Sequence, residues 1–127
     1  MLKEDFFTII SMREENNSLA IILELHPGHR IFKGHFPGHP VVPGACMVQM
    51  VKEITEMVLE KRIRLKTAAN IKFLVPVNPD ENKILHMNLL RHPSPDGAII
   101  VSANMSAGTR TCFKFNGSFV PFSGSFP

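Results

Sequence analysis

The stretch from His26 to Gly44 constrains this chain more than any other. Of its nineteen residues, eight are Gly or Pro and four are His. Proline lacks a backbone N–H and fixes φ, and glycine loses most conformational freedom on ordering, so no regular helix or strand runs through such a segment. It reads as a long loop, and long loops inside compact domains are usually functional. Pro43 then stands where proline is favoured, at the first position of a helix. Ala45, Cys46, Met47, Val48, Met50 and Val51 follow, and later Ile54, Met57 and Val58 keep to one side, which predicts a helix from Pro43 to about Lys61. Gln49, Glu53, Glu56 and Glu60 share a narrow polar stripe at i, i+4, i+7 and i+11. A helix this apolar at its start is expected to be buried there and to emerge towards its end.

Strand patterns flank this unit. Phe6–Met12 is apolar and β-branched. Leu19, Ile21, Leu23 and Leu25 alternate with Ala20, Ile22 and Glu24, and a turn at Glu14–Asn17 joins the two segments as a hairpin. After the helix come four more alternating segments: Ala69–Val75, Leu85–Leu90, Ile99–Met105, and Phe113 onwards, where Gly117 marks a bulge before Phe119. Asn78-Pro79-Asp80, Pro93–Gly97 and Ala107-Gly108 supply the turns. Residues 123–127 read as a frayed tail. The order of two strands, loop, one long helix and four strands is an α+β layout, with a curved antiparallel sheet wrapped around the helix. No internal repeat or domain boundary interrupts it, so residues 1–127 are expected to form one domain.

Composition narrows the function classes. Hydrophobic residues make up 44%, and no apolar run approaches the ~20 residues a membrane span needs. Met1-Leu2-Lys3-Glu4-Asp5 lacks the basic start and apolar stretch of a signal peptide, so a cytoplasmic address is expected. Cys46 and Cys112 form no C-x-x-C pair and read as two buried thiols. The basic run Lys61-Arg62-Ile63-Arg64-Leu65-Lys66 suits an acidic partner; without Trp, Tyr or an aromatic RNA-binding motif, nucleic acid is not expected. His26, His29, His35 and His39 lie in a Gly/Pro loop with no evident carboxylate or thiolate partner, so no metal site is expected.

The segment His35-Phe36-Pro37-Gly38-His39-Pro40-Val41-Val42-Pro43-Gly44, running straight into the helix, resembles the signature of the (3R)-hydroxyacyl-acyl carrier protein dehydratases. There a His-Phe-Pro-Gly-x-Pro-x-x-Pro-Gly segment precedes the central helix of a hot-dog fold, and all ten positions match. Ile71–Pro79 resembles the family's strand after that helix, which also ends in a Pro-x-x-Pro turn, and the likeness runs from roughly Leu19 to Phe119. The resemblance implies removal of water from a 3-hydroxyacyl thioester, giving a trans-2-enoyl thioester, with no cofactor and no metal. It implies that His35 is catalytic, an imidazole near neutrality being suited to proton transfer. Gly44 would offer its backbone N–H, at the helix N-terminus, to the thioester carbonyl. Pro37 and Gly38 would fix the turn that aims His35, while Phe36, Val42, Pro43 and Ala45 would line the acyl site.

One position departs from the family pattern. Its second catalytic group is a carboxylate fourteen residues after the histidine, and here that residue is Gln49. An amide donates hydrogen bonds but supplies no proton as a general acid. Three alternatives follow: Glu53, one turn further on, substitutes; His35 does the proton work while Gln49 orients the hydroxyl; or the chain is a non-catalytic acyl-binding protein or the partner of an active subunit. Family sites form at a dimer interface, so a homodimer or higher oligomer is implied, or a heterodimer completing one site from two unequal chains. The substrate would arrive on acyl carrier protein or coenzyme A. A thioesterase on the same fold is the competing enzymatic reading, although such thioesterases generally lack the His-Phe-Pro-Gly segment.

Overall fold

The computed structural model describes residues 2–34 and 38–122. Eight elements occur in the order β1 (Phe7–Glu15), β2 (Ser18–Leu25), α1 (Ile31–Gly34), α2 (Gly44–Leu59), β3 (Ile63–Phe73), β4 (Ile84–Pro93), β5 (Ile99–Ala107) and β6 (Arg110–Pro121). The strands form one sheet in the order β1-β2-β4-β5-β6-β3, with every neighbouring pair antiparallel. The sheet is curved and carries one long helix, the hot-dog arrangement.

Alternation explains the packing. Leu19, Ile21, Leu23 and Leu25 of β2 are buried, and opposite them stand Leu85, Met87 and Leu89 of β4. Met105, Ala103 and Val101 of β5 and Phe113, Phe115 and Phe119 of β6 continue the same face. Met47, Met50, Val51 and Ile54 of α2 join this cluster. Each such side chain contributes roughly 1.5–3 kcal/mol by leaving water, which is why the sheet closes on the helix.

Several sequence expectations need correction. The apolar start of α2 is not its buried part: Ala45 is exposed, Cys46 and Val48 are half-buried, and burial is deepest from Met50 to Thr55. Helical geometry sends successive apolar residues around the axis, so a continuous apolar run cannot all face one sheet. The helix starts at Gly44, with Pro43 as N-cap, and stops at Glu60, whose left-handed φ of 54° ends it. Glu53, although in the polar stripe, is not solvated; it is 1% exposed. Cys112 is buried but Cys46 only partly so, and desolvation raises both thiol pKa values. The loop from His26 includes the single helical turn α1, whose Phe32 stacks on Phe6 at 5.2 Å. Strand β3 begins at Ile63, absorbing most of the basic run, and ends at Phe73 rather than Val75.

The bulge expected at Gly117 belongs to the opposite strand. Register shifts occur in β3 between Leu65 and Thr67 and between Ala68 and Asn70, while Gly117 pairs regularly with Ala68. Glycine is required there because a Cβ would run into the Thr67 carbonyl oxygen and lie 2.8 Å from the Phe115 ring. Gly117→Ala is expected to destabilise the fold by about 1–3 kcal/mol, the usual cost of overpacking, read as a lower urea midpoint.

Lys66 Nζ donates to Asp96 Oδ2 at 2.7 Å and Ala98 N–H donates to Oδ1 at 3.0 Å. The Lys66 hydrogen bond first, then the Ala98 amide and Ser94, hold the Asp96 carboxyl well below the usual carboxylate range. A depressed folded-state pKa stabilises above the unfolded value near ~3.9 and is lost as pH falls below it. Asp96→Asn should therefore lower the urea midpoint at neutral pH, with the difference shrinking as the pH is taken into the acid range.

Candidate active site

The site is assembled by the segment between β2 and α2. Its start is tied to the N-terminal region by two histidines. His26 Nδ1–H donates to the Asp5 carbonyl at 2.9 Å, so its Nε2 accepts from the Thr8 hydroxyl at 2.6 Å. His29 Nδ1 accepts from the Ile31 amide at 3.1 Å, leaving Nε2–H to donate to Asp5 Oδ2 at 3.1 Å. Both rings thus have structural partners on both nitrogens. Phe32 and the Phe6–His29 edge contact anchor α1 against the core.

The far end of the segment is fixed by Gly38 and Val42. Gly38 has φ +87°, a left-handed conformation that favours glycine. Val42 is buried, and its N–H donates to the Val77 carbonyl at 2.9 Å. This bond joins the two stretches singled out in the sequence, the Gly/Pro loop and the Pro-x-x-Pro turn after β3. His35, Phe36 and Pro37 lie outside the described residues.

Helix α2 then starts without a side-chain cap. Cys46 and Met47 direct their N–H groups to the Pro43 carbonyl. The N–H groups of Gly44 and Ala45 have no acceptor among the described residues. The first turn of a helix carries orphan donors and the positive end of the helix dipole, so this is a position suited to an oxygen bearing developing negative charge. Pro43 is half-buried beside it and Ala45 is exposed.

Further along α2 the structure brings Gln49 and Glu53 together. Gln49 Nε2 donates to Glu53 Oε2 at 2.8 Å. The same carboxylate accepts from the Leu2 N–H at 2.8 and 3.0 Å and from the Lys3 N–H at 2.9 Å. Glu53 is therefore a buried acceptor that holds the N-terminal segment, and its oxygens are already engaged. Because a carboxylate only accepts, it fixes the Gln49 amide with nitrogen inward, leaving its carbonyl oxygen for other donors. Gln49 and Glu53 border a cleft of about 330 Å³ shared with His29, Arg30 and Ile31.

The Asp5 clamp, the hold of Leu2 and Lys3 on Glu53 and the Phe73 ring, which a Cβ on Gly44 would meet at 2.6 Å, were not foreseen from sequence. Only the alternation of Phe73 with Lys72 and Leu74 was visible there, and its side chain is exposed; the other contacts span many residues and have no local pattern.

Comparisons with known proteins agree with this frame. The family model described as ApeI-like, ApeI dehydratase, matches residues 11–117. A 3-hydroxyacyl-acyl-carrier-protein dehydratase FabZ of Wolbachia sp. is 34% identical over 83 residues, covering 60% of this chain and 58% of its own length. The FabZ of Nitratiruptor sp. is 24% identical over 111 residues, covering 74% of this chain and 75% of that protein. Among solved structures, the dehydratase heterocomplex ApeI:P from Xenorhabdus doucetiae superposes with TM-score 0.76 at 19% identity, covering 89% of this chain and 96% of that one. A putative thioesterase from Ralstonia eutropha shares the fold with TM-score 0.63 at 15% identity, covering 89% and 83%. No helix among the described residues is long and apolar enough to cross a membrane. With most of its length matched, from the middle of β1 to Gly117 of β6, the chain belongs to the ApeI-like dehydratase family.

Proposed function

We propose that the chain acts on 3-hydroxyacyl thioesters, carried by acyl carrier protein or coenzyme A, as a dehydratase that forms trans-2-enoyl thioesters. The observation that carries this reading is the uncapped start of α2, a few residues beyond the His-Phe-Pro-Gly segment. The Gly44 N–H polarises the thioester carbonyl, which acidifies the C2 proton. His35 accepts that proton, the C2–H electrons form the C2–C3 double bond, and the C3–O bond breaks. The leaving hydroxyl takes the same proton back from the imidazolium and departs as water. Gln49 orients the hydroxyl through its outward carbonyl oxygen.

A second reading is favoured by the Gln49–Glu53 pair. Gln49 is not an acid and the Glu53 carboxylate is engaged by three donors, so an unequal partner chain would supply the missing carboxylate. Strand β3 offers a place for a second chain: it is an edge strand, exposed from Arg64 to Asn70, with one row of backbone groups open to pairing.

Purified chain should interconvert 3-hydroxyacyl and trans-2-enoyl thioesters, slowly, and His35→Ala should reduce the rate by about 10²–10⁴-fold. A silent wild type whose activity appears only on adding a second family member would select the heterodimer reading. Thiol release with the 3-hydroxyl intact would instead indicate a thioesterase.

A further inference from the structure

A cavity of about 260 Å³ lies at the carboxyl end of α2, beside Leu59. That is roughly 22 Å along the helix from Gly44, at ~1.5 Å per residue. Leu59, Lys61, Arg91, Ala98, Ile99 and Pro121 are among its walls, and none of its described lining residues is acidic. Arg91 follows Leu85, Met87 and Leu89 at two-residue spacing, so its stem runs on the core side of β4. Its side chain is only 17% exposed. Nη2 donates to Glu14 Oε2 at a long 3.3 Å, and that carboxylate is half-exposed. Nη1 is buried and has no hydrogen-bond partner among the described residues. A buried charged donor left unpaired is costly, so it calls for an acceptor that the fold itself does not supply.

Charge and lining define that acceptor. Arg91 and Lys61 bring two positive charges and Glu14 offsets one. The carbonyl end of α2 offsets about half of another. The small positive balance suits a monoanion. The rest of the wall, Leu59, Ala98, Ile99 and Pro121, is apolar. At roughly 30 Å³ for each water-sized group, the volume holds about eight heavy atoms.

We infer that this cavity binds a short aliphatic monocarboxylate of about six carbons, its carboxylate on Arg91 and Lys61 and its chain against Leu59 and Ile99. The guanidinium fork matches a carboxylate, and a turn off the long Glu14 contact brings Nη1 to it. The site goes beyond the proposed dehydration, none of whose steps uses it.

The test is a titration of the full chain with hexanoate, followed through its backbone amides by ¹H–¹⁵N NMR, with 1-hexanol and inorganic phosphate as controls. Hexanoate should give saturable shifts at the Lys61, Gly97 and Ala98 amides, with a Kd in the millimolar range expected of so small a ligand. Both controls should bind at least about 10-fold more weakly, hexanol for want of the charged hydrogen bonds and phosphate for want of the chain. Arg91→Met keeps an apolar stem and should weaken hexanoate at least about 10-fold. Lys61→Gln alters an exposed residue on which folding does not depend, and should weaken it about 2- to 5-fold. No saturable shift at these amides in the wild type would overturn the inference, and so would shifts centred on Gly44 or phosphate binding as tightly as hexanoate. Hexanoate binding unchanged in Lys61→Gln would overturn it even if Arg91→Met failed to fold. The probe carries no thioester, so failure here leaves the dehydratase reading standing.

Discussion

Replacing Gln49 with glutamate is expected to raise the dehydration rate by about 10²–10⁴-fold, the usual contribution of a general acid. The environment favours this. The introduced carboxyl would stand where the amide now meets Glu53 at 2.8 Å, and two carboxylates that close cannot both ionise. The pair would titrate in two coupled steps, one of them raised. One carboxyl would therefore retain its proton towards neutrality, as an acid assisting departure of the 3-hydroxyl must. The rate of Gln49→Glu should fall as pH rises through that raised value, and adding Glu53→Gln should move the fall to lower pH. Steady-state kinetics across pH checks both. An unchanged rate would mean that position 49 does not face the reacting hydroxyl.

The largest stability effect is expected at Phe115. This residue is fully buried, stacks on Phe119 at 5.8 Å and packs beside Gly117. Phe115→Ala removes a ring from the centre of β6, where neighbours on β3 and β5 are fixed by hydrogen bonding and cannot collapse into the space. Such truncations cost about 3–5 kcal/mol. For a chain of this size, Tm should fall by on the order of 10–20 °C, measurable by calorimetry. A shift of only a few degrees would mean that β6 is not the middle of the core.

Much of the frame was legible in the sequence because it rests on short periods. The alternation in Leu19–Leu25 located β2 and its buried face, and the Gly/Pro content of residues 26–44 marked the loop. The ten-residue signature then led to the fold and family. Three features were not legible. The apolar start of α2 resembled a buried segment because hydropathy does not say which way a residue points; Ala45 is exposed. Glu53 looked solvated by its place in a polar stripe, whereas the backbone of Leu2 and Lys3 covers it from about fifty positions away in sequence. The β3 bulges were assigned to Gly117 because the glycine is the visible residue, although the extra residues lie on the strand it faces.

The central claim is that the start of α2 seats a thioester carbonyl, and the carbonyl stretch of a bound ligand tests it most directly. A trans-2-enoyl-coenzyme A labelled with ¹³C at the thioester carbon would be bound to the His35→Ala chain and examined by difference infrared spectroscopy. Hydrogen bonding from the Gly44 amide, in the field of the helix dipole, should lower the stretching frequency relative to free ligand. A bound ligand whose carbonyl frequency matches that in water or moves upward would contradict the account, because the acyl group would then lie elsewhere on the protein.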